Sequence, residues 1–160
     1  MKKVILVIAL LLFTVSLATL VQARWSAPAN SADLLKQLPV KFLADASGLK
    51  LVRAELSTAR TVIACHYFLA GAKLSTLGLV YETHVPFQRN RSNQVKFGRT
   101  IKQDQRIKGD SYLVFEGSFL DGICLSTGGT RYLRLYATEE KKFPTETLIK
   151  LAARIADKIK

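Results

Sequence analysis

The sequence contains few of the residue types from which catalytic and metal sites are built. It has two cysteines and two histidines. These four residues, Cys65, Cys124, His66 and His84, show none of the close C-x-x-C or H-x-x-x-H spacings that mark metal sites. The G-x-S-x-G elbow, the P-loop, the H-E-x-x-H helix and the dinucleotide fingerprint are also missing. We therefore expect a protein that is not an enzyme and that needs no cofactor and no metal.

Acidic residues are scarce as well. The chain has 12 Asp and Glu against 24 Lys and Arg, and no two carboxylates form an obvious pair for glycosidase chemistry. The formal net charge is +12, to which residues 1–23 contribute only Lys2 and Lys3. Such an excess attracts anionic partners over a long range.

One long uncharged apolar run occurs, at the N-terminus. Lys2 and Lys3 precede residues 4–21, and V-Q-A then places small residues at positions −3 and −1 of a cut after Ala23. This layout predicts a secretory signal peptide at residues 1–23. The alternative is an uncleaved anchor that contacts the membrane through residues 4–21, because the run just reaches the length that spans a bilayer. Either way we expect export to the periplasm, the cell envelope or the medium.

The rest of the chain suits one domain. Residues 24–30 predict a linker and residues 31–160 a single α+β domain. Ser31 is expected to cap a short helix that Pro39 ends. The segments with strand-forming composition are residues 49–56, 61–69, 74–85, 111–117, 122–126 and 130–138.

The C-terminal segment has the pattern of an amphipathic helix. Its apolar residues recur at helical spacing, at Leu148, Leu151, Ala152, Ile155 and Ile159. Together the elements predict a twisted, mostly antiparallel sheet that is covered by this helix and by a short N-terminal helix.

Several segments resemble small exported envelope domains of the PsbP-like kind, which include actinobacterial lipoproteins and extracytoplasmic sensor domains. "IACHYFLAGAKLSTLGLVY" resembles their first hairpin, and "KGDSYLVFEG", "GGTRYLRLYAT" and "LIKLAARIADKI" look like their closing half. The resemblance implies a sheet backed by helices and a non-catalytic role, and it assigns no functional residue. The chain departs from the lipoprotein members because no lipid-attachment cysteine follows its apolar run.

The two cysteines permit four interpretations. Export and an even cysteine count favour a disulfide between Cys65 and Cys124, which would contribute roughly 4 kcal/mol by restricting the unfolded chain. A catalytic thiolate would need His84 as its base, because His66 is the next residue and points to the opposite face of a strand. The others are a metal site and two buried free thiols. We expect both histidines to be structural.

The segment from residue 89 to 108 is the candidate binding surface. Its cations outnumber its acids by seven to one, the single acid being Asp104. These cations are Arg89, Arg91, Lys96, Arg99, Lys102, Arg106 and Lys108. If residues 99–108 are helical, Arg99, Lys102 and Arg106 share one face, which suits phosphate or carboxylate groups. The alternative is a solvated basic surface.

A second surface is indicated by alternation within one strand. Tyr132, Arg134 and Tyr136 share a face that is expected either to contact a partner or to pack under a helix.

These features predict an exported, non-enzymatic envelope module whose basic surface binds an anionic envelope component or an acidic partner protein, as an inhibitor or immunity-type protein would. The alternatives are a membrane-anchored structural or accessory subunit, and a thiol- or metal-dependent enzyme. Export makes nucleic acid an unsuitable partner.

Overall fold

The computed structural model describes residues 25–59, 62–138 and 143–159, and within these ranges seven strands form one sheet. The predicted signal peptide or anchor, residues 1–23, lies outside them. The strands are β1 (Leu51–Ala59), β2 (Val62–Leu69), β3 (Leu77–Glu82), β4 (Thr100–Lys102), β5 (Ser111–Glu116), β6 (Phe119–Ser126) and β7 (Tyr132–Ala137). The helices are α1 (Ser31–Gln37), α2 (Val40–Ser47), α3 (Phe87–Lys96) and α4 (Thr145–Lys158).

The sheet consists of two meanders that meet in its middle. Its strand order is β1-β2-β3-β7-β6-β5-β4, and every neighbouring pair is antiparallel. The chain leaves β3, forms α3, enters the far edge at β4 and returns to β7 beside β3. The predicted α+β fold is therefore confirmed.

The two faces of the sheet bury different sets of residues. Because side chains alternate along a strand, Cys65 and Tyr67 of β2 join the main core with α1, α2 and α4. We call this side the helix face. The opposite side, the α3 face, carries a smaller cluster in which Phe87 of α3 packs on Tyr112 and Cys124.

Helix α4 supplies the largest cover of the helix face. All five residues of its predicted apolar stripe are buried, and Lys150, Arg154 and Lys158 are exposed on its other side. The prediction of an amphipathic C-terminal helix is thus confirmed, with Pro144 just before its first turn.

Helix α1 is fixed to the sheet at both of its ends. The Cys65 thiol donates to the carbonyl oxygen of Ser31 at 3.3 Å, and the Tyr67 hydroxyl donates to that of Leu38 at 2.7 Å. The helix ends before Pro39, as predicted, but its N-cap is Asn30, whose side chain accepts from the Asp33 backbone N–H. Since carbonyls at a helix end lack partners within the helix, the Tyr67 bond satisfies a group that burial would otherwise penalise.

The N-terminal region contains more regular structure than its composition predicts. Residues 25–30, predicted as a linker, pack Trp25 against the main core. Pro39 precedes α2, and Gly48 ends it with a φ of 72°, a left-handed conformation that glycine adopts without a steric penalty. Proline before a helix and glycine after it form a recognised pair of boundary signals.

The conditional interpretation of residues 99–108 as a helix is wrong. The helix in this region is α3, ten residues that end at Lys96, and Gly98, with a φ of 76°, reverses the chain after it. Thr100–Lys102 then form β4 against β5. Ile101 pairs with Val114 of β5 and packs on the cluster of the α3 face, so an apolar contact accompanies the strand pairing of this segment.

A glycine opposite a tyrosine marks the junction of the two meanders. Gly78 of β3 pairs with Tyr136 of β7, and a Cβ atom at position 78 would overlap the Tyr136 ring. The ring therefore occupies space beside the backbone of β3 that a side chain at position 78 would fill.

Gly78→Val is expected to lower the free energy of unfolding by about 1–3 kcal/mol, the usual range for overpacking. Valine is a good strand former, so the loss would come from displacement of the ring. In a Tyr136→Ala background the same change should cost clearly less, because the ring is no longer there. Urea unfolding of the four proteins measures this coupling, and an equal cost in both backgrounds would contradict it.

Candidate functional site

The predicted disulfide between Cys65 and Cys124 is wrong. Both thiols are free, and they belong to different clusters on opposite faces of the sheet. Three strand-to-strand steps separate β2 from β6, which corresponds to about 14 Å between the two strands. A disulfide needs Cα atoms about 4.4–6.8 Å apart. The register of the sheet therefore excludes the bond.

The two thiols instead help to position the two sides of the domain. Cys65 contacts α1 through Ser31, and Cys124 lies 3.8 Å from the side-chain nitrogen of Asn90 in α3. The same Asn90 nitrogen donates to the Tyr112 hydroxyl at 2.7 Å. Burial raises the pKa of Cys65 to about 11 and that of Cys124 to about 11. A nucleophilic cysteine needs the opposite shift, so both environments suit packing rather than catalysis.

The histidines lie in different surroundings. His66 is half-buried in β2, opposite Gly78. His84 is exposed after β3, where its Nδ1 is 2.9 Å from the Thr83 hydroxyl oxygen. Within the described ranges no group of three or more histidines, cysteines and acids is arranged to hold a metal ion.

Three of the seven predicted binding cations form ion pairs. Arg99 pairs with Asp121 and, at 3.4 Å, with Glu116. Arg106 pairs with Asp104 and with Glu146 of α4, and Lys108 lies 3.2 Å from Asp157. Apart from Asp104, which is two residues from Arg106, these acids come from distant parts of the chain, so the excess of cations along the sequence is partly neutralised in space.

The ion pairs of Arg106 join the β4–β5 connection to α4. Arg106 Nε donates to Asp104 Oδ1 at 2.8 Å, and this contact lowers the pKa of Asp104 to about 2. Its guanidinium also contacts Glu146, in the first turn of α4. Arg106 is therefore a connecting residue rather than a free ligand.

The strand face of Tyr132, Arg134 and Tyr136 is also largely used within the fold. Tyr132 packs on Phe87 of α3, with 6.1 Å between ring centroids. Arg134 donates to Asp121 at 2.8 Å, and Gly122 leaves the space that its side chain occupies. Of the two expected roles, packing under a helix holds for Tyr132.

The remaining four cations lie on α3 and β4. Arg91 stacks over Tyr112 at 6.0 Å, and Lys102 over Phe115 at 4.9 Å. Arg89 and Lys96 are exposed on α3. No ion pair involves any of the four among residues 25–59, 62–138 and 143–159. The predicted basic face is thus divided, because three of its cations without an ion pair lie on α3 and only Lys102 lies within residues 99–108.

Two large apolar side chains lie beside these cations. Val95 is 57% exposed and Phe97 is 77% exposed at the C-terminal end of α3. We call Arg89, Val95, Lys96 and Phe97 the α3 surface. The cations of this surface are predicted from the sequence, whereas its apolar part is not; an aromatic residue at the end of a polar, basic helix is the signal that could indicate it.

One groove opens elsewhere, between the start of α1 and the end of α4. Its volume is about 410 Å³ and it is lined by Trp25, Ser26, Ala27, Asp33, Lys36, Gln37 and Lys158. Its charged side chains are of both signs, so it favours no particular charge in a ligand.

Comparison with protein-family models, with curated proteins and with solved structures finds no match. No helix of the described residues is long and apolar enough to cross a membrane.

The burial of both thiols predicts that neither reacts while the protein is folded. A thiol reagent at about pH 8 should label the native protein negligibly and should label two cysteines per chain after denaturation in guanidinium. The control is Ser57→Cys, which adds an exposed thiol and should react at once in the folded state. Rapid labelling of the native wild-type chain would contradict the packing described.

The same burial predicts a loss of stability in alkali. The folded-state pKa values of Cys65 and Cys124 lie above the unfolded value, and burial likewise raises those of Tyr67 and Tyr112. Above about pH 9 the unfolded chain therefore loses protons that the folded chain keeps, and the free energy of unfolding falls as pH rises. Urea unfolding at several pH values measures the slope, which Cys65→Ala with Cys124→Ala should reduce. An unchanged slope would contradict the assignment to the thiols.

Proposed function

We propose that the protein is an exported, non-enzymatic module of the cell envelope that binds an anionic lipid surface through the α3 surface. The observation that carries the proposal is the exposed Phe97 beside Lys96, whose charge no described carboxylate compensates. Export is supported by the signal-like N-terminus, and an oxidising compartment is compatible with two thiols that are both buried.

The positive charge of the α3 surface suits several kinds of anionic partner, and its apolar side chains favour one of them. An acidic protein or a free anion is recognised by cations. A lipid surface in addition accepts apolar side chains below its headgroups. Phe97, which directly follows Lys96, supplies that second element, so the α3 surface fits lipid better than a purely polar ligand.

The same surface has little to do with the stability of the fold. Only Phe87 and Asn90 of α3 are buried, and they hold the helix to the α3 face. Its outer side is therefore free to contact another molecule without any rearrangement of the sheet.

The test uses protein produced from the full sequence and purified as the host processes it. Its intact mass is read first, because a chain that keeps residues 4–21 would bind vesicles through them. A mass that begins at Arg24 is expected. A full-length mass would favour the membrane-anchored accessory subunit instead.

Arg89→Glu with Lys96→Glu is expected to weaken binding to phosphatidylglycerol vesicles at least about thirtyfold, because each basic residue near an anionic surface contributes about 1 kcal/mol. Phe97→Ser should weaken it with no change in charge. Co-sedimentation at low and moderate salt measures both effects, and phosphatidylcholine vesicles should bind little of any variant.

The matched control is Lys150→Glu with Arg154→Glu, which makes the same change in charge on the exposed side of α4. This variant should bind nearly as well as the wild type. Equal losses in the two double variants would mean that only the net charge matters, and vesicle binding that is unaffected by either would rule out the α3 surface.

A further inference from the structure

The two edges of the sheet are built differently. β4 has three residues and carries the exposed Lys102, and short, charged edge strands are a common protection against pairing with another sheet. β1 has nine residues and pairs with β2 alone in the part of the chain that the structure describes. From Arg53 to Ala59, where the pairing with β2 is regular, every second residue of β1 turns its backbone N–H and C=O groups outward, as an edge strand does. The register with β2 shifts between Leu51 and Arg53, so Val52 lies outside this alternation.

The side chains of β1 also differ from those of a protected edge. Val52 is 58% exposed and Leu56 is 48% exposed, although a typical edge strand limits such residues. Between them lie Arg53 and Glu55, which are ion-paired to each other in the single chain. The strand thus carries an apolar residue and a charge on each side of Ala54, with the two charges of opposite sign.

We propose that β1 pairs antiparallel with β1 of a second copy of this chain, about a two-fold axis that passes through Ala54. In this register Arg53 faces Glu55 of the second copy at two places, and cross-strand pairs of opposite charge are favourable. Leu56 lies beyond each charge pair, towards the irregular segment of the second copy that contains Val52.

Neighbouring registers are excluded by the same residues. A shift by one residue would bring outward-turned backbone groups opposite inward-turned ones. A two-fold axis at Arg53 would oppose the two arginines, and an axis at Glu55 would oppose the two glutamates, which is unfavourable. The sequence of β1 is thus self-complementary in one register.

The proposed pairing leaves no long edge strand with which a third copy could pair. Once two β1 strands have paired, the edges that remain free are the two short β4 strands, which are poor templates for a further sheet. A discrete dimer is therefore expected instead of a fibre. The inference does not depend on the α3 surface, which lies on other elements.

The first experiment measures the dissociation constant of the dimer by sedimentation equilibrium, on protein purified as the host processes it. Glu55→Arg opposes like charges at two places and should raise the constant at least about tenfold. Adding Arg53→Glu reverses both charges together and should restore the constant to within about threefold of wild type. Circular dichroism checks the fold, because Arg53 also stacks on Phe68 at 3.5 Å.

The second experiment tests the position of the axis. The Cα atoms of directly opposed residues in antiparallel strands are about 4.5–5.5 Å apart, which suits a disulfide, so Ala54→Cys should form a covalent dimer under mild oxidation. Ser57→Cys is the control, since the two copies of that residue would lie about 20 Å apart, and the buried native thiols should not take part.

Covalent dimers from Ala54→Cys together with rescue by the double charge reversal would support the pairing. A wild-type chain that stays monomeric at every concentration would overturn it. A dimer in which Ser57→Cys cross-links better than Ala54→Cys, or which Glu55→Arg leaves intact, would mean that another surface joins the two copies, and this would also overturn it.

Discussion

The antiparallel pairing of β3 with β7 is the contact on which the rest of the structure depends. The meander β1–β3 and the meander β4–β7 each form from strands that are close in sequence, whereas β3 and β7 are brought together only by the passage of α3 across one face. Their register sets Leu79 against Leu135 and Gly78 against Tyr136. Because side chains alternate, this register decides which residues of both meanders face α1, α2 and α4, and a slip of one residue would turn the whole apolar set of one meander to the wrong side.

This dependence explains which parts of the site could be predicted from the sequence. Parity within one strand is local, so the sequence correctly placed Tyr132, Arg134 and Tyr136 on one face. The relation of Cys65 to Cys124 involves the registers of three strand pairs, β2 with β3, β3 with β7 and β7 with β6. No local pattern encodes those registers. An even cysteine count is a statement about composition, and it has no bearing on whether two strands present their thiols to the same side.

The helices show the same division between local and long-range information. Helix α4 buries a full apolar stripe, so its period could be read from the chain. Helix α3 buries Phe87 and one polar residue, Asn90, whose burial is balanced by its hydrogen bond to Tyr112. Because only one apolar residue of α3 is buried, its sequence shows no amphipathic period that would predict the helix. Most ion pairs of Arg99, Arg106 and Lys108 could not be predicted either, because the carboxylates lie far away along the chain, as Glu146 does for Arg106; Asp104, two residues from Arg106, is the exception.

Where the chain leaves apolar side chains exposed is the best guide to what it contacts. Five large hydrophobic side chains of the described residues are exposed, namely Val52, Leu56, Leu74, Val95 and Phe97. A single exposed residue such as Leu74 needs no explanation. The other four lie on two elements, Val52 and Leu56 on β1 and Val95 and Phe97 at the C-terminal end of α3. Polar residues there would cost the monomer little stability, so the fold alone does not account for them.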